Sequence, residues 1–202
     1  MTPPDTGQTE SQPVTTVAPD PRRRVFRRMT FGGRLAAAAW RWAQRLLFYP
    51  SPASANAWRR FVLRRFGASI APRVKVHRTA RIIQPWNLTI GPDTTIRQRV
   101  VLDCQAPVTI GSRTEISQFT HLCTATHVYN KRDMPIVGRP ISIGDRCWLA
   151  ADVFVVCGVK IANGVVVGAR ASVFRDITEN SIAIGEPAKP LEGRDTSSVQ
   201  QA

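Results

Sequence analysis

The sequence predicts a mainly β chain: a parallel β-helix of hexapeptide repeats, preceded by two short α-helices and a polar N-terminal tail. Three observations predict it. From Ile143 an aliphatic residue recurs every six positions, at Ile143, Leu149, Val155, Ile161, Val167 and Val173. Four residues after each stands a second small or aliphatic side chain: Cys147, Val153, Val159, Val165, Ala171 and Ile177. The same phase runs backwards to Ile70 through two-residue slips, each followed by a glycine, at Gly91, Gly111 and Gly144. A helix repeats every 3.6 residues and a strand every two, so neither alone keeps a strict six. Three hexapeptides closing one coil of a solenoid do. A β-sandwich of short strands has no reason to hold one phase over so long a stretch.

The elements follow in order. Residues 1–32 are rich in Thr, Pro, Ser and Gln and then in Arg, and read as a disordered basic tail. Residues 33–67 read as a helical cap. Its first helix runs from Gly33 to Phe48 and is ended by Pro50 and Pro52; its second is capped by Asn56, contains Trp58, Phe61, Val62 and Phe66, and is closed by Gly67. Residues 68–194 form the β-helix, with upper coils of about 20 residues and lower coils of about 18. Residues 128–140 break the pattern and form an insertion loop. Five or six coils at roughly 4.8 Å per strand make a prism on the order of 25 Å tall. Residues 195–202 form a second disordered tail.

Formal net charge is +14, unevenly placed. Residues 1–66 hold twelve Arg against three acids, a net +9, which leaves +5 to the rest. Two readings of this excess stay open: a solvated basic surface, or attraction to an anionic membrane or anionic substrates. Nucleic acid is not expected as a partner, because no reader motif interrupts the repeats. The helices likewise have two compatible roles. An open β-helix end exposes unpaired backbone and needs a cap, and a Trp- and Arg-rich helix suits peripheral docking at a membrane interface. No signal-peptide pattern or membrane-spanning apolar stretch is present. Cys104, Cys123, Cys147 and Cys157 form no CxxC pair and read as small reduced core or wall residues, which suits a cytoplasmic protein.

The chain has three histidines, His77, His121 and His127. His127 stands where the repeat breaks, beside the insertion, and a near-neutral imidazole there suits proton abstraction from a hydroxyl. The segment from Gly33 to Arg194 resembles the hexapeptide-repeat acyltransferases, in particular the colanic-acid biosynthesis acetyltransferase group (WcaF-like), with maltose, galactoside and nodulation O-acetyltransferases as relatives. The resemblance rests on Pro85-Trp86-Asn87-Leu88, Leu122-Cys123-Thr124-Ala125-Thr126-His127, Cys147-Trp148-Leu149-Ala150, Val166-Val167-Gly168-Ala169-Arg170 and Gly185-Glu186-Pro187-Ala188-Lys189.

The resemblance implies a left-handed β-helix, a homotrimer with active sites between subunits, and acetyl-CoA as co-substrate without a metal. It implies His127 as general base, Trp148 as an aromatic wall and the Ala151 N–H, beside Ala150, as oxyanion donor. It further implies Gly168 and Ala169 along pantetheine, and Arg175 and Lys189 beside the CoA phosphates. Trp148 is also suited to covering a corner, and Arg175 to being a solvated surface charge. The acceptor-holding Asn of the sugar acetyltransferases has no counterpart in Thr95-Ile96-Arg97-Gln98-Arg99; Gln98 and Asp103 are the substitutes in reach. The expected activity is O-acetylation of a sugar or saccharide acceptor, in exopolysaccharide or lipid-linked saccharide assembly. The alternative is a non-catalytic scaffold or membrane-docking module. A three-His zinc site is disfavoured, because His77 lies several coils from the other two.

Overall fold

A computed structural model describes residues 24–25, 30–128 and 131–193. Short parallel strands stack into three sheets, one on each side of a β-solenoid of about six turns. The first side carries Ser69–Ile70 and its stacked equivalents, the second begins at Lys75–Val76 and the third at Arg81–Ile82. Ile70 pairs with Ile90, Ile90 with Ile110, Ile110 with Ile143 and Ile143 with Ile161. The coil length is thus 20, 20, 33 and 18 residues: the third coil is 13 longer than the one before it and 15 longer than the one after, and it carries the insertion. All six residues of the period-six series are buried, 1% exposed or less, so the repeat is the core itself.

The enlarged corner has a steric and a polar cause. Gly91, Gly111 and Gly144 stack there in direct backbone contact. A Cβ on Gly91 would lie 2.7 Å from the Gly111 carbonyl carbon, and one on Gly111 would lie 2.6 Å from that of Gly144. Only glycine permits this approach. The buried hydroxyls of Thr94 and Thr114 then bridge the coils: Thr94 Oγ1 donates to the Gly111 carbonyl at 2.6 Å, and Thr114 Oγ1 to the Gly144 carbonyl at 2.8 Å. All four cysteines are free, and three are buried. Burial raises the pKa of the Cys104, Cys123 and Cys147 thiols, as befits inert wall residues.

The first coil poses the main problem. Each coil passes N–H bonds to the carbonyls of the next: Ala71, Lys75, His77, Arg81 and Ile83 donate to Ile90, Thr94, Ile96, Val100 and Leu102. The equivalent carbonyls one coil earlier belong to Ile70, Val74, Val76, Ala80 and Ile82, and no earlier coil serves them. The two helices, α1 (Phe31–Ala43, continued by a π-helical turn Gln44–Phe48) and α2 (Asn56–Arg65), supply one side-chain donor set to each. Arg64 reaches Ile70 O at 2.6 and 2.8 Å, Arg60 Val74 O at 3.0 Å and Arg59 Val76 O at 2.6 Å. Gln44 reaches Ala80 O at 3.3 Å and the Trp40 indole N–H reaches Ile82 O at 2.7 Å. Capping is therefore a literal replacement of a missing strand.

Arg59 is 1% exposed and, among the described residues, is hydrogen-bonded to no carboxylate. It also donates to Ser51 Oγ, Pro52 O, Ala53 O and Asn56 Oδ1. Burial presses its pKa below the usual guanidinium value, with Arg78 adding to the effect, yet five hydrogen bonds keep the charge solvated by protein. That bond explains one departure from expectation. Asn56 does not cap α2; Ala55 holds the cap position, and the Asn56 side-chain oxygen is taken by Arg59. The first helix begins two residues earlier than expected because the Thr30 hydroxyl accepts the Gly33 N–H. Gly67 closes α2 at φ +87°, as expected.

The insertion is a β-hairpin rather than an irregular loop. Ala125–His127 pairs antiparallel with Ile136–Gly138, and Arg24–Val25 adds a third strand against the latter. Residues 24–25 thus take regular structure inside the segment read as a disordered tail; residues 1–23, 26–29 and 195–202 lie outside the described residues. At the far end, Ser181–Ile184 and Lys189–Gly193 fold back as an antiparallel pair.

Arg59→Met should destabilise the fold by at least about 3 kcal/mol, since each buried carbonyl left unsatisfied costs about 1–3 kcal/mol. Arg65→Met, an exposed site on the same helix end, should stay within about 0.5 kcal/mol of wild type. Urea denaturation of both variants checks this; equal shifts would contradict the carbonyl-capping role.

Candidate active site

A groove of about 1200 Å³ runs across the outer surface of the second side. Trp148 stands at its centre, on the strand Trp148–Leu149, stacked between Glu115 above and Val166 below. The indole is half exposed, and its N–H donates to Ser117 Oγ at 3.0 Å, which holds the ring against the wall. Ala150, Ala151, Gly168 and Ala169 line the same groove. These small residues bring backbone to the surface. The Ala150 N–H donates to Val167 O, whereas the Ala151 N–H finds no acceptor among the described residues. It is a spare backbone donor on a residue that lines the groove. Arg113 and Arg146 give one rim a positive character.

His127 lies elsewhere on the prism. The chain leaves the third side after His121–Cys123 and turns at Thr124, which is fully buried. The Thr124 hydroxyl donates to Asp103 O and accepts the Ala106 N–H at 3.0 Å, while its carbonyl accepts the Arg139 N–H at 3.0 Å. These bonds clamp the root of the hairpin at both strands. His127 sits in the first hairpin strand opposite Ile136, exposed, rather than at the corner itself. Its Nδ1 lies 2.7 Å from Met134 O. A carbonyl oxygen only accepts, so Nδ1 carries the proton and the neutral ring presents an unprotonated Nε2. Met134 O is thus the orienting partner of the imidazole.

The structure brings together Trp148, Ala150, Ala151, Gly168 and Ala169, and leaves three expected residues outside that groove. His127 projects from the corner between the third and first sides, opposite the second. Arg175 is exposed beyond the strand Ser172–Val173, and Lys189 is exposed in the C-terminal antiparallel pair opposite Ile184. Ile184 in turn covers Gly168: a Cβ there would meet its Cγ2 at 2.7 Å. Of the two substitutes for the missing Asn, Asp103 lies on the third side, one coil above Cys123 in register, with its carboxylate accepting from Gln105 Nε2 at 3.1 and 3.2 Å. Gln98 does not share that side. His121 packs edge-on against Phe154 at 5.6 Å; burial lowers its pKa, Asp103 opposes this, and Arg81 adds to it. Among the described residues no group of three His, Cys, Asp or Glu is placed to share a metal ion.

Ser117 carries no motif of its own in the sequence; the 33-residue coil step that pairs Glu115 with Trp148 puts it beside the indole. Met134 O has no side-chain signal.

No protein-family model matches the chain. WcaF of Escherichia coli K12, named as a colanic acid biosynthesis acetyltransferase, is 39% identical over 163 residues, covering 81% of this chain and 90% of that protein. A hexapeptide-repeat acetyltransferase of Vibrio cholerae O1 biovar eltor, solved with acetyl coenzyme A, superposes with a TM-score of 0.74 at 25% identity, over 81% and 90% of the two chains. A galactoside acetyltransferase in complex with coenzyme A gives 0.75 at 22%, over 84% and 86%. The β-solenoid fold is thus shared with acetyltransferases of the hexapeptide-repeat class. With 39% identity to WcaF over most of both chains, this chain belongs to the hexapeptide-repeat acetyltransferases.

Neutral His127 should be almost wholly the Nδ1–H tautomer. Long-range ¹H–¹⁵N correlation spectra of ¹⁵N-histidine-labelled protein above the imidazole pKa report it directly. A dominant Nε2–H form would contradict the Met134 bond.

Proposed function

We propose that the protein transfers an acetyl group from acetyl-CoA to a hydroxyl of a saccharide, in exopolysaccharide or lipid-linked saccharide assembly. The observation that carries this reading is the pairing of an exposed imidazole, its Nε2 left unprotonated by Met134 O, with a groove that presents a spare backbone N–H at Ala151. The relatives named for colanic acid and for galactoside, and the neighbours solved with acetyl coenzyme A or coenzyme A, support the co-substrate and the acceptor class.

In this reading His127 Nε2 takes the acceptor hydroxyl proton as the oxygen attacks the acetyl carbonyl. The tetrahedral oxyanion accepts the Ala151 N–H, a fixed donor that needs no reorganisation. Collapse expels the CoA sulfur, and the imidazolium returns its proton to that thiolate. Trp148 walls the thioester end; Gly168 and Ala169 flank pantetheine; Arg175 and Lys189 meet the nucleotide phosphates. Asp103, held by Gln105, is the acceptor-side acid nearest the hairpin root. Lys131, Arg132 and Asp133, all exposed on the hairpin, contribute to acceptor choice; Asn130, expected beside them, lies outside the described residues.

One chain holds the groove and the base on opposite parts of the prism, so this chemistry requires a neighbour. We assign the active form as a homotrimer in which the His127 hairpin of one copy closes the groove of the next. A three-sided prism packs about a threefold axis, and closed rotational symmetry builds identical shared sites.

His127→Ala should lower turnover by about 10²–10⁴, the usual range for a lost general base, with acetyl-CoA binding nearly unchanged. Acetyl-CoA-dependent thiol release against a panel of saccharide acceptors, together with calorimetric titration, checks this. Wild-type turnover in the folded variant would overturn the assignment.

A further inference from the structure

The helical cap has a second surface. On α1 and its π-helical extension, Trp40, Gln44 and Phe48 recur every four residues, are buried, and bind the first coil. The opposite stripe carries Phe31, Leu35, Trp42 and Leu46, exposed by 77, 56, 61 and 65% respectively. Their steps of four, seven and four keep one helical face. Trp58 and Phe61 of α2, with ring centroids 5.7 Å apart, extend the apolar surface. The Trp58 indole N–H is already spent on Leu47 O at 2.8 Å, so the ring it exposes is apolar. Globular surfaces rarely leave so much contiguous aromatic and aliphatic side chain in water.

The charges around this surface are of one sign. Arg34, Arg41 and Arg45 run beside the apolar stripe in matching steps, all exposed. No Asp or Glu occurs between Asp20 and Asp93, so neither helix nor the first coil holds an acid. Arg59, Arg60 and Arg64 are engaged on coil carbonyls, whereas Arg34, Arg41 and Arg45 pair with no acid among the described residues. A second copy of this chain would set the same uncompensated cations against each other. An anionic bilayer complements both features: aromatic and aliphatic side chains enter the headgroup–acyl boundary while flanking arginines reach lipid phosphates.

We propose that the exposed face of the helical cap docks on an anionic membrane, with α1 lying in the interface plane and the solenoid hanging below it. The cap is already pinned to the solenoid by its buried face, so docking needs no refolding. The groove on the second side begins at the third coil, on the order of 10 Å below the cap at about 4.8 Å per strand. Membrane-tethered saccharides are then the acceptor class within reach. The docking stands independently of acetyl transfer, since its residues lie outside the groove and the hairpin.

Co-sedimentation of the full chain with phosphatidylcholine vesicles, with and without phosphatidylglycerol, tests it. Wild type should bind the anionic vesicles at least about tenfold more tightly and lose that preference at high salt. Trp42→Ser/Leu46→Ser should abolish binding at an unchanged denaturation midpoint, and Arg34→Gln/Arg41→Gln/Arg45→Gln should remove the preference for anionic lipid. Absence of vesicle binding, or double-variant binding equal to wild type, would overturn the proposal. So would a wild-type assembly that shrinks in the double variant without lipid, because the face would then be covered by protein.

Discussion

Unpaired backbone at the first coil is the constraint on which the rest of the molecule depends. A solenoid passes hydrogen bonds from coil to coil, so its first edge always lacks partners. Here five carbonyls in register meet donors from Arg64, Arg60, Arg59, Gln44 and Trp40. The requirement explains features of the cap that propensity alone does not. Arginine is selected because one planar fork reaches several carbonyls at once. Arg59 is buried without an acid because carbonyl and hydroxyl oxygens take its five bonds. The helices lie across the prism end because only there do their inner faces meet all three sides.

Orientation of the cap then decides what faces solvent. A helix bonded inward through Trp40, Gln44 and Phe48 must present Phe31, Leu35, Trp42 and Leu46 outward. The solenoid below it is equally rigid in its consequences. Residues one coil apart keep the same side, so Ser117, Trp148, Ala150 and Gly168 share one wall whatever surrounds them. The hairpin leaves from the opposite corner, clamped by Thr124, and carries His127 away from that wall. Under the proposed function, groove and imidazole, standing on different parts of one prism, meet only between copies.

Much of this was legible in the sequence because period six is a backbone property written in side chains. Ile143 to Val173 announced the core, and the break in the repeat announced an insertion, although its first hairpin strand, Ala125–His127, precedes the expected 128–140. Gly91, Gly111 and Gly144 marked the enlarged corner. Less legible was whatever depends on carbonyls. Arg59 looks like any surface arginine on a polar helix until the coil edge is built above it. Met134 holds His127 through a main-chain oxygen that any residue would offer. Asn56 has the chemistry of a helix cap, yet a buried guanidinium outcompeted the backbone for its oxygen. The Arg24–Val25 strand against the hairpin had no local signal, since its pairing partner lies more than a hundred residues away.

The proposed shared site is tested most directly by complementation. His127→Ala retains an intact groove, and Ala169→Trp, which fills the groove, retains an intact base. Each alone should be nearly inactive. Co-expressed in equal amounts and purified as mixed trimers, they should recover about a quarter of wild-type turnover, the share of interfaces that join a sound base to a sound groove. Activity no higher than that of either parent would contradict a site built between copies.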